Sequence, residues 1–254
     1  MSAIRGCIVR GSQSRSDLTH LPYARATWEW WCQTHGIEFS LVEHTEGVDA
    51  FPNAPPTIQR WFAPAAIIAK FGPDTRVAMV DADTMIRWDT PDFMDHSENS
   101  LVAVRARNQR WASKTVAAFQ HFFPSVILSN ADYFNAGIVV VGINHLTVLS
   151  HLIAFYSANK SELEQIFRAS DMGTDQTLLN FIVRQDHTQV SFLPKELNFL
   201  NCFDYDPDAR KEYEHESGHD WSTFARQAFS KTAFSFIDRA FVWHFTNTIR
   251  SRSH

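Results

Sequence analysis

"RVAMVDADTMIRWDT", residues 76–90, is the stretch whose reading decides the fold. Val77, Ala78, Met79 and Val80 run without interruption into two carboxylates, Asp81 and Asp83, separated only by Ala82. A short apolar run of this kind reads as a strand buried on both faces. Carboxylates are costly at the end of such a strand, which raises the question of what the pair holds. In an open α/β sheet the carboxyl ends of the strands open into the crevice where ligands bind. Spaced by one residue, both carboxylates can lie on one side of the emerging turn, and their repulsion raises one pKa unless a cation sits between them. Mg2+ or Mn2+ suits such oxygen ligands and keeps positions open for the phosphate oxygens of a substrate. Taken alone, the motif also allows one aspartate to cap the turn while the other is solvated.

The flanking sequence supports the strand. "IRGCIVRG" (4–11) is a first strand closed by glycine, "YARATWEWWCQTHG" (23–36) a helix with Trp28, Trp31 and Cys32 on one face, and "IEFSLVEH" (37–44) a second strand. "TIQRWFAPAAIIAKFG" (57–72) reads as a helix kinked at Pro64 and ended by Gly72. "SLVAVRA", "GIVVVG", "TQVSFLP" and "AFVWHFTN" follow as strands, with "SKTVAAFQHFF", "HLTVLSHLIAFYSANK" and "DQTLLNFIVRQD" as helices between or beside them. This alternation predicts an α/β chain with a mixed, mostly parallel sheet flanked by helices. One domain over 1–254 is expected, because 254 residues with 44% hydrophobic content can enclose a single large core.

Composition narrows the function classes. A formal charge of -5 without a Lys/Arg-rich run excludes the phosphate-neutralising surface of a nucleic-acid binder. Three cysteines without a CxxC pair fit a reducing compartment, with the cytoplasm as the expected location. No run approaches the ~18 apolar residues of a membrane span.

Four later segments occur in a fixed order: "DYFNAGIVVVG" (132–142), "GTDQTLLN" (173–180), "LPKELNFL" (193–200) and "WHFTNTIR" (243–250). Together with "VDADT" they resemble glycosyltransferase family 8, the group of glycogenin and the bacterial lipopolysaccharide galactosyltransferases. The resemblance spans roughly residues 60–250 and implies a GT-A, Rossmann-like nucleotide-diphospho-sugar transferase fold. It implies transfer of a sugar from a UDP-sugar to an acceptor hydroxyl with retention at the anomeric carbon, dependent on Mn2+ or Mg2+.

Carried over residue by residue, the resemblance makes Asp81, Asp83 and His244 the metal ligands. Asn135, Asp175 and Gln176 take the catalytic positions beside the donor sugar. Donor contacts fall on Val9, Arg10 and Gly11 at the end of the first strand, on Arg60, on Asp81 to Asp83 including Ala82, on Ala136 and Gly137, and on Asn247 and Arg250. Two of these depart from the family's HFxGxxK segment. Asn247 stands for its glycine and tolerates positive φ, and Arg250 stands for its lysine and keeps a positive fork for diphosphate.

Plainer readings stand beside these. His244 by itself is a packed histidine, Asp175 a residue at a helix start behind Thr174, and Asn135 a turn before a strand. Trp88 and Trp111 read as packing aromatics, and the acidic stretch 204–220 as a solvated segment. Two other functions remain open: a non-catalytic nucleotide-sugar or glycan-binding module on the same fold, and a metal-dependent phosphohydrolase. The haloacid dehalogenase order is DxDxT on a first strand, whereas here Thr84 follows one place early and two strands precede it. The donor sugar and the glycan, protein or lipid-linked acceptor are not legible in the sequence.

Overall fold

The computed structural model describes residues 5–10, 21–41, 54–94, 99–106, 109–170, 175–198 and 240–244. Strand β1 (Arg5–Arg10), helix α1 (Leu21–His35) and strand β2 (Glu38–Leu41) form a parallel unit, with Gly36 closing the helix at φ 63°. Positive φ costs glycine little, which explains the sharp exit. Three pieces then approach the decisive strand: α2 (Pro56–Gln59), a 3-10 turn over Arg60–Phe62, and α3 (Ala63–Phe71). Pro64 was expected to kink one helix here. Instead it occupies the first turn of α3, where its missing N–H costs nothing, and the chain is remade as a tighter turn before it.

Strand β3 (Arg76–Asp81) runs to the first carboxylate, and β4 (Thr84–Ile86) starts one residue after the second. Next come β5 (Leu101–Arg105), α4 (Gln109–Phe119), β6 (Phe134–Val141), α5 (Leu146–Ser170), α6 (Gln176–Gln185), β7 (Val190–Leu193) and β8 (Val242–His244). Six strands form one sheet in the order β2-β1-β3-β6-β5-β7, while β4 and β8 pair separately.

The sheet is mixed, as expected: within the six strands three ladders are parallel, β1 with β2, β1 with β3 and β5 with β7, and two are antiparallel, β3 with β6 and β5 with β6, while β4 and β8 pair antiparallel apart from it. The reversal lies in β6, which opposes both of its neighbours and so brings its first residues beside the end of β3. Sequence periodicity could not reveal it, since a strand buried on both faces reads the same in either direction.

Alternate residues of the central strands feed two cores. Val77, Met79, Leu101, Ala103, Val139 and Val141 pack with Trp61, Phe119, Leu149 and Phe181 on one face. Ala78, Val80, Val102, Val104, Ile138 and Val140 pack with Trp28, Trp31 and Ile86 on the other. The period of two across β3, β5 and β6 is what a sheet covered on both faces requires.

Candidate active site

The site is built at the carboxyl end of β3. After Asp81 the chain turns through Ala82 and Asp83, and Thr84 fixes that turn by donating to the Asp81 carbonyl at 2.6 Å. Helix α1 holds Thr84 in turn: the Trp28 indole N–H donates to its hydroxyl at 3.0 Å. The Thr27 hydroxyl accepts the Ile86 amide at 3.3 Å. The amphipathic face of α1 thus sets the direction in which the two carboxylates leave the sheet.

His244 arrives through strand pairing. The β4–β8 register sets Thr84 opposite His244, adjacent in the chain to Asp83. Its Nε2 lies 3.4 Å from Asp81 Oδ2 and 3.2 Å from Asp83 Oδ1. One ligand atom from each of the three residues lies within 4.8 Å of the others. Two carboxylate oxygens and one imidazole nitrogen form a donor set that fits Mn2+ or Mg2+ with positions left for substrate oxygens.

Strand β6 supplies the second wall. Ala103 of β5 pairs with Val139, yet its successor Val104 pairs with Asn135, so residues 136–138 are extra on β6. This bulge turns the "FNAG" backbone out of the ladder toward Asp81. Gly137 has a steric cause here: an added Cβ would lie 2.4 Å from His244 Cε1 and 2.6 Å from its Nδ1. Glycine is needed for the His244 ring to reach the carboxylates, a reason distinct from approach to a sugar.

Arg60 joins this wall to α6. Its guanidinium donates to Asp81 Oδ1, to Asp175 Oδ2 at 2.7 Å from Nη2 and 3.0 Å from Nε, and to the Ala136 carbonyl at 2.9 Å. The Trp61 indole N–H also donates to Asp175 Oδ2, at 2.9 Å. Asp175 is the residue at the start of α6, yet its side chain makes no bond to the helix's own amides. Asp175 does stand at a helix start, and its carboxylate turns to Arg60 and Trp61.

Asn135 and Gln176 are bound to each other. Asn135 Nδ2 donates to Gln176 Oε1 at 2.9 Å, and the Ala136 amide donates to the same oxygen at 3.1 Å. Gln176 Nε2 reaches the Tyr133 hydroxyl at 3.3 Å, which lies 2.7 Å from Thr177 Oγ1. Asn135 Oδ1 accepts the Gly137 amide at 2.7 Å and Asn198 Nδ2 at 2.7 Å, while Asn198 Oδ1 lies 3.0 Å from His244 Nδ1. A continuous polar chain therefore runs from His244 to Thr177.

The charges respond to this packing. Burial alone would raise the Asp81 carboxyl, but the Arg60 guanidinium and His244 hold it down at about 2. Burial would lower His244, and its hydrogen bonds to Asp81 and Asp83, with their charges, push it up to about 9. The group thus favours positive charge between its two carboxylates. Burial raises Asp175, with Arg60 and Trp61 pulling against it.

Of the residues singled out in the sequence, Asp81, Ala82, Asp83, Arg60, Asn135, Ala136, Gly137, Asp175, Gln176 and His244 come together. The backbone of Val9 and Arg10 ends beside them, paired with Val80 and Asp81. Gly11, Thr174, Asn247, Arg250 and the acidic stretch 204–220 lie outside the described residues. Trp88 is 70% exposed. Sequence reading gave no site role to Trp61, Thr84, Tyr133 and Asn198, although Tyr133 and Asn198 fall inside the quoted segments "DYFNAG" and "LPKELNFL".

Over 96% of its length the chain superposes on a glycosyltransferase involved in glycosylation of the major capsid of PBCV-1, covering 93% of that chain with a TM-score of 0.51 at 11% identity. It also superposes on WbbM, a bifunctional glycosyltransferase in its apo form, over 96% of this chain and 46% of that one, with a TM-score of 0.52 at 17% identity. The chain has the GT-A glycosyltransferase fold. No protein-family profile and no curated protein sequence matches it. Among the described residues no helix is long and apolar enough to cross a membrane.

Proposed function

We propose that the chain is a metal-dependent glycosyltransferase that moves a sugar from a UDP-sugar to an acceptor hydroxyl with retention of anomeric configuration. The convergence of Asp81, Asp83 and His244 at the end of β3 carries this reading. Asp81, Asp83 and His244 would hold Mn2+ or Mg2+, which supplies Lewis-acid neutralisation of the diphosphate leaving group. Asp175 lies one guanidinium away from Asp81, and it would be the carboxylate that faces a positively charged anomeric centre. Arg60 keeps that carboxylate and Asp81 in a fixed relation, so the group that meets the sugar and the group that meets the metal move together. Asn135 and Gln176 hold the "FNAG" bulge in the shape that forms the donor wall.

The test is release of UDP from a panel of UDP-sugars with added Mn2+. Wild-type protein should turn over at least one donor, and Asp81→Ala and Asp83→Ala should abolish release. UDP binding with Mn2+ but no release from any donor favours a binding module. Release of inorganic phosphate from phosphomonoesters favours a phosphohydrolase. Full activity in both alanine variants sinks the metal assignment.

A further inference from the structure

We propose that Asn198 is a positioning residue that fixes which nitrogen of His244 faces the Asp81–Asp83 pair. This rests on the reading of Asp81, Asp83 and His244 as a metal site and adds a residue that acts through one of its ligands.

The assignment starts from a group whose role has no alternative, the backbone N–H of Gly137. It donates at 2.7 Å to one end of the Asn135 amide, so that end is oxygen. The same oxygen faces one end of Asn198 at 2.7 Å, which must then be the NH2. The other end of Asn198 is an oxygen that can only accept, and it lies 3.0 Å from His244 Nδ1. Nδ1 therefore carries a hydrogen. When the ring is neutral its lone pair stands on Nε2, the nitrogen that faces Asp81 and Asp83 at 3.4 and 3.2 Å.

A second backbone donor gives the same answer from the opposite direction. The Ala136 N–H donates to Gln176 Oε1 at 3.1 Å, which makes that end of Gln176 oxygen. The end of Asn135 that faces it at 2.9 Å must be NH2, leaving oxygen toward Gly137 and Asn198. Two amide hydrogens of the β6 bulge thus determine the tautomer of a histidine about a hundred residues later in the chain. Burial makes the arrangement hold, because Asn198 is 2% exposed and His244 5%, leaving little access for water as a substitute partner. Partners of this kind beyond a metal's ligands orient the ring and typically change affinity 10- to 100-fold when removed.

The experiment uses Mn2+ alone as the probe, with affinity from calorimetry and ring ligation from the 14N coupling in pulsed electron paramagnetic resonance. Asn198→Leu removes the acceptor and should weaken Mn2+ binding by about 10- to 100-fold, with loss of nitrogen coupling. Asn198→Asp still accepts from Nδ1 but cannot donate to Asn135, and should keep affinity within a few-fold of wild type along with the coupling. An unchanged N198L overturns the inference, as does an N198D that falls as far as N198L, since Asn198 would then act only through Asn135. A measurement needing no variant is 15N-histidine NMR of the Mg2+-loaded wild type, which should show the proton on Nδ1 of His244; a proton on Nε2 overturns the inference. Wild-type protein that binds no Mn2+ overturns the metal reading itself, and this inference with it.

Discussion

Arg60 and Asp175 lie side by side in the interior, Nη2 2.7 Å from Oδ2, each side chain only 7% exposed. The same guanidinium also serves Asp81, so one buried cation separates two carboxylates that would otherwise confront each other. Arg60→Met should destabilise the protein by about 3–5 kcal/mol, the usual cost of leaving a buried charge without its partner. Urea unfolding measures it, and the double variant R60M/D175N should recover part of the loss. Wild-type stability in R60M would contradict the clamp.

Gly137→Ala places a methyl group where the His244 ring now sits, 2.4 Å from Cε1. The ring must move away from Asp81 and Asp83. Mn2+ affinity should fall by at least about 10-fold, comparable with loss of a ligand's support. Titration calorimetry would show it, and unaltered affinity would mean that the ring is not required where it stands.

Thr84→Val keeps volume but removes the hydroxyl shared by the Trp28 indole and the Asp81 carbonyl. The buried Trp28 indole and the part-buried Asp81 carbonyl each lose this partner, at about 1–3 kcal/mol each. A total loss of roughly 2–6 kcal/mol in urea unfolding is expected, with tryptophan fluorescence reporting the changed surroundings of Trp28. A loss under about 0.5 kcal/mol would be the value of an ordinary surface change and would contradict the linkage.

How much of this could be read from the chain follows from the range of each interaction. The strand before Asp81 and the face of α1 bearing Trp28 and Trp31 were legible because burial imposes a short period on neighbouring residues. Asp81, Asp83 and His244 were legible as a group only through the resemblance, since His244 lies 161 positions after Asp83. Asn198 carries no local signal at all. A buried amide and a surface amide look alike in sequence, and its function depends on Asn135 and His244, each dozens of residues away. The direction of β6 was hidden for a related reason, because a strand buried along its whole length has no solvent-facing side to mark its orientation. Arg60 was read as a donor contact, and its partners within the fold were not foreseen: its donors go to Asp81, Asp175 and Ala136.

The pH dependence of the metal-free protein follows from two of these groups. Asp81 titrates at about 2 in the fold, below the ~3.9 of an unfolded chain, so its contribution is present above about pH 4 and lost as pH falls toward 2. His244 titrates at about 9, above the ~6.5 of an unfolded chain, so its contribution is complete below about pH 6.5 and lost as pH rises through 9. Asp175, raised by burial, acts in the opposite sense to Asp81, its cost setting in as pH rises above the ~3.9 of an unfolded chain. Urea midpoints in EDTA should therefore be highest between about pH 4 and 6.5 and decline toward pH 9. His244→Gln should flatten the alkaline limb. Midpoints that climb from pH 7 to 9 would contradict the assignment.

The most direct test of the central claim is a thermal-shift panel of UDP-sugars with and without Mn2+. A donor present at about 100 times its Kd adds roughly 2.7 kcal/mol to the folded state, which for a chain of this size raises Tm by about 5–10 °C. The account predicts such a shift for at least one UDP-sugar in the presence of Mn2+, and its loss without the metal or in Asp83→Ala. No shift with any UDP-sugar, metal present, would contradict it.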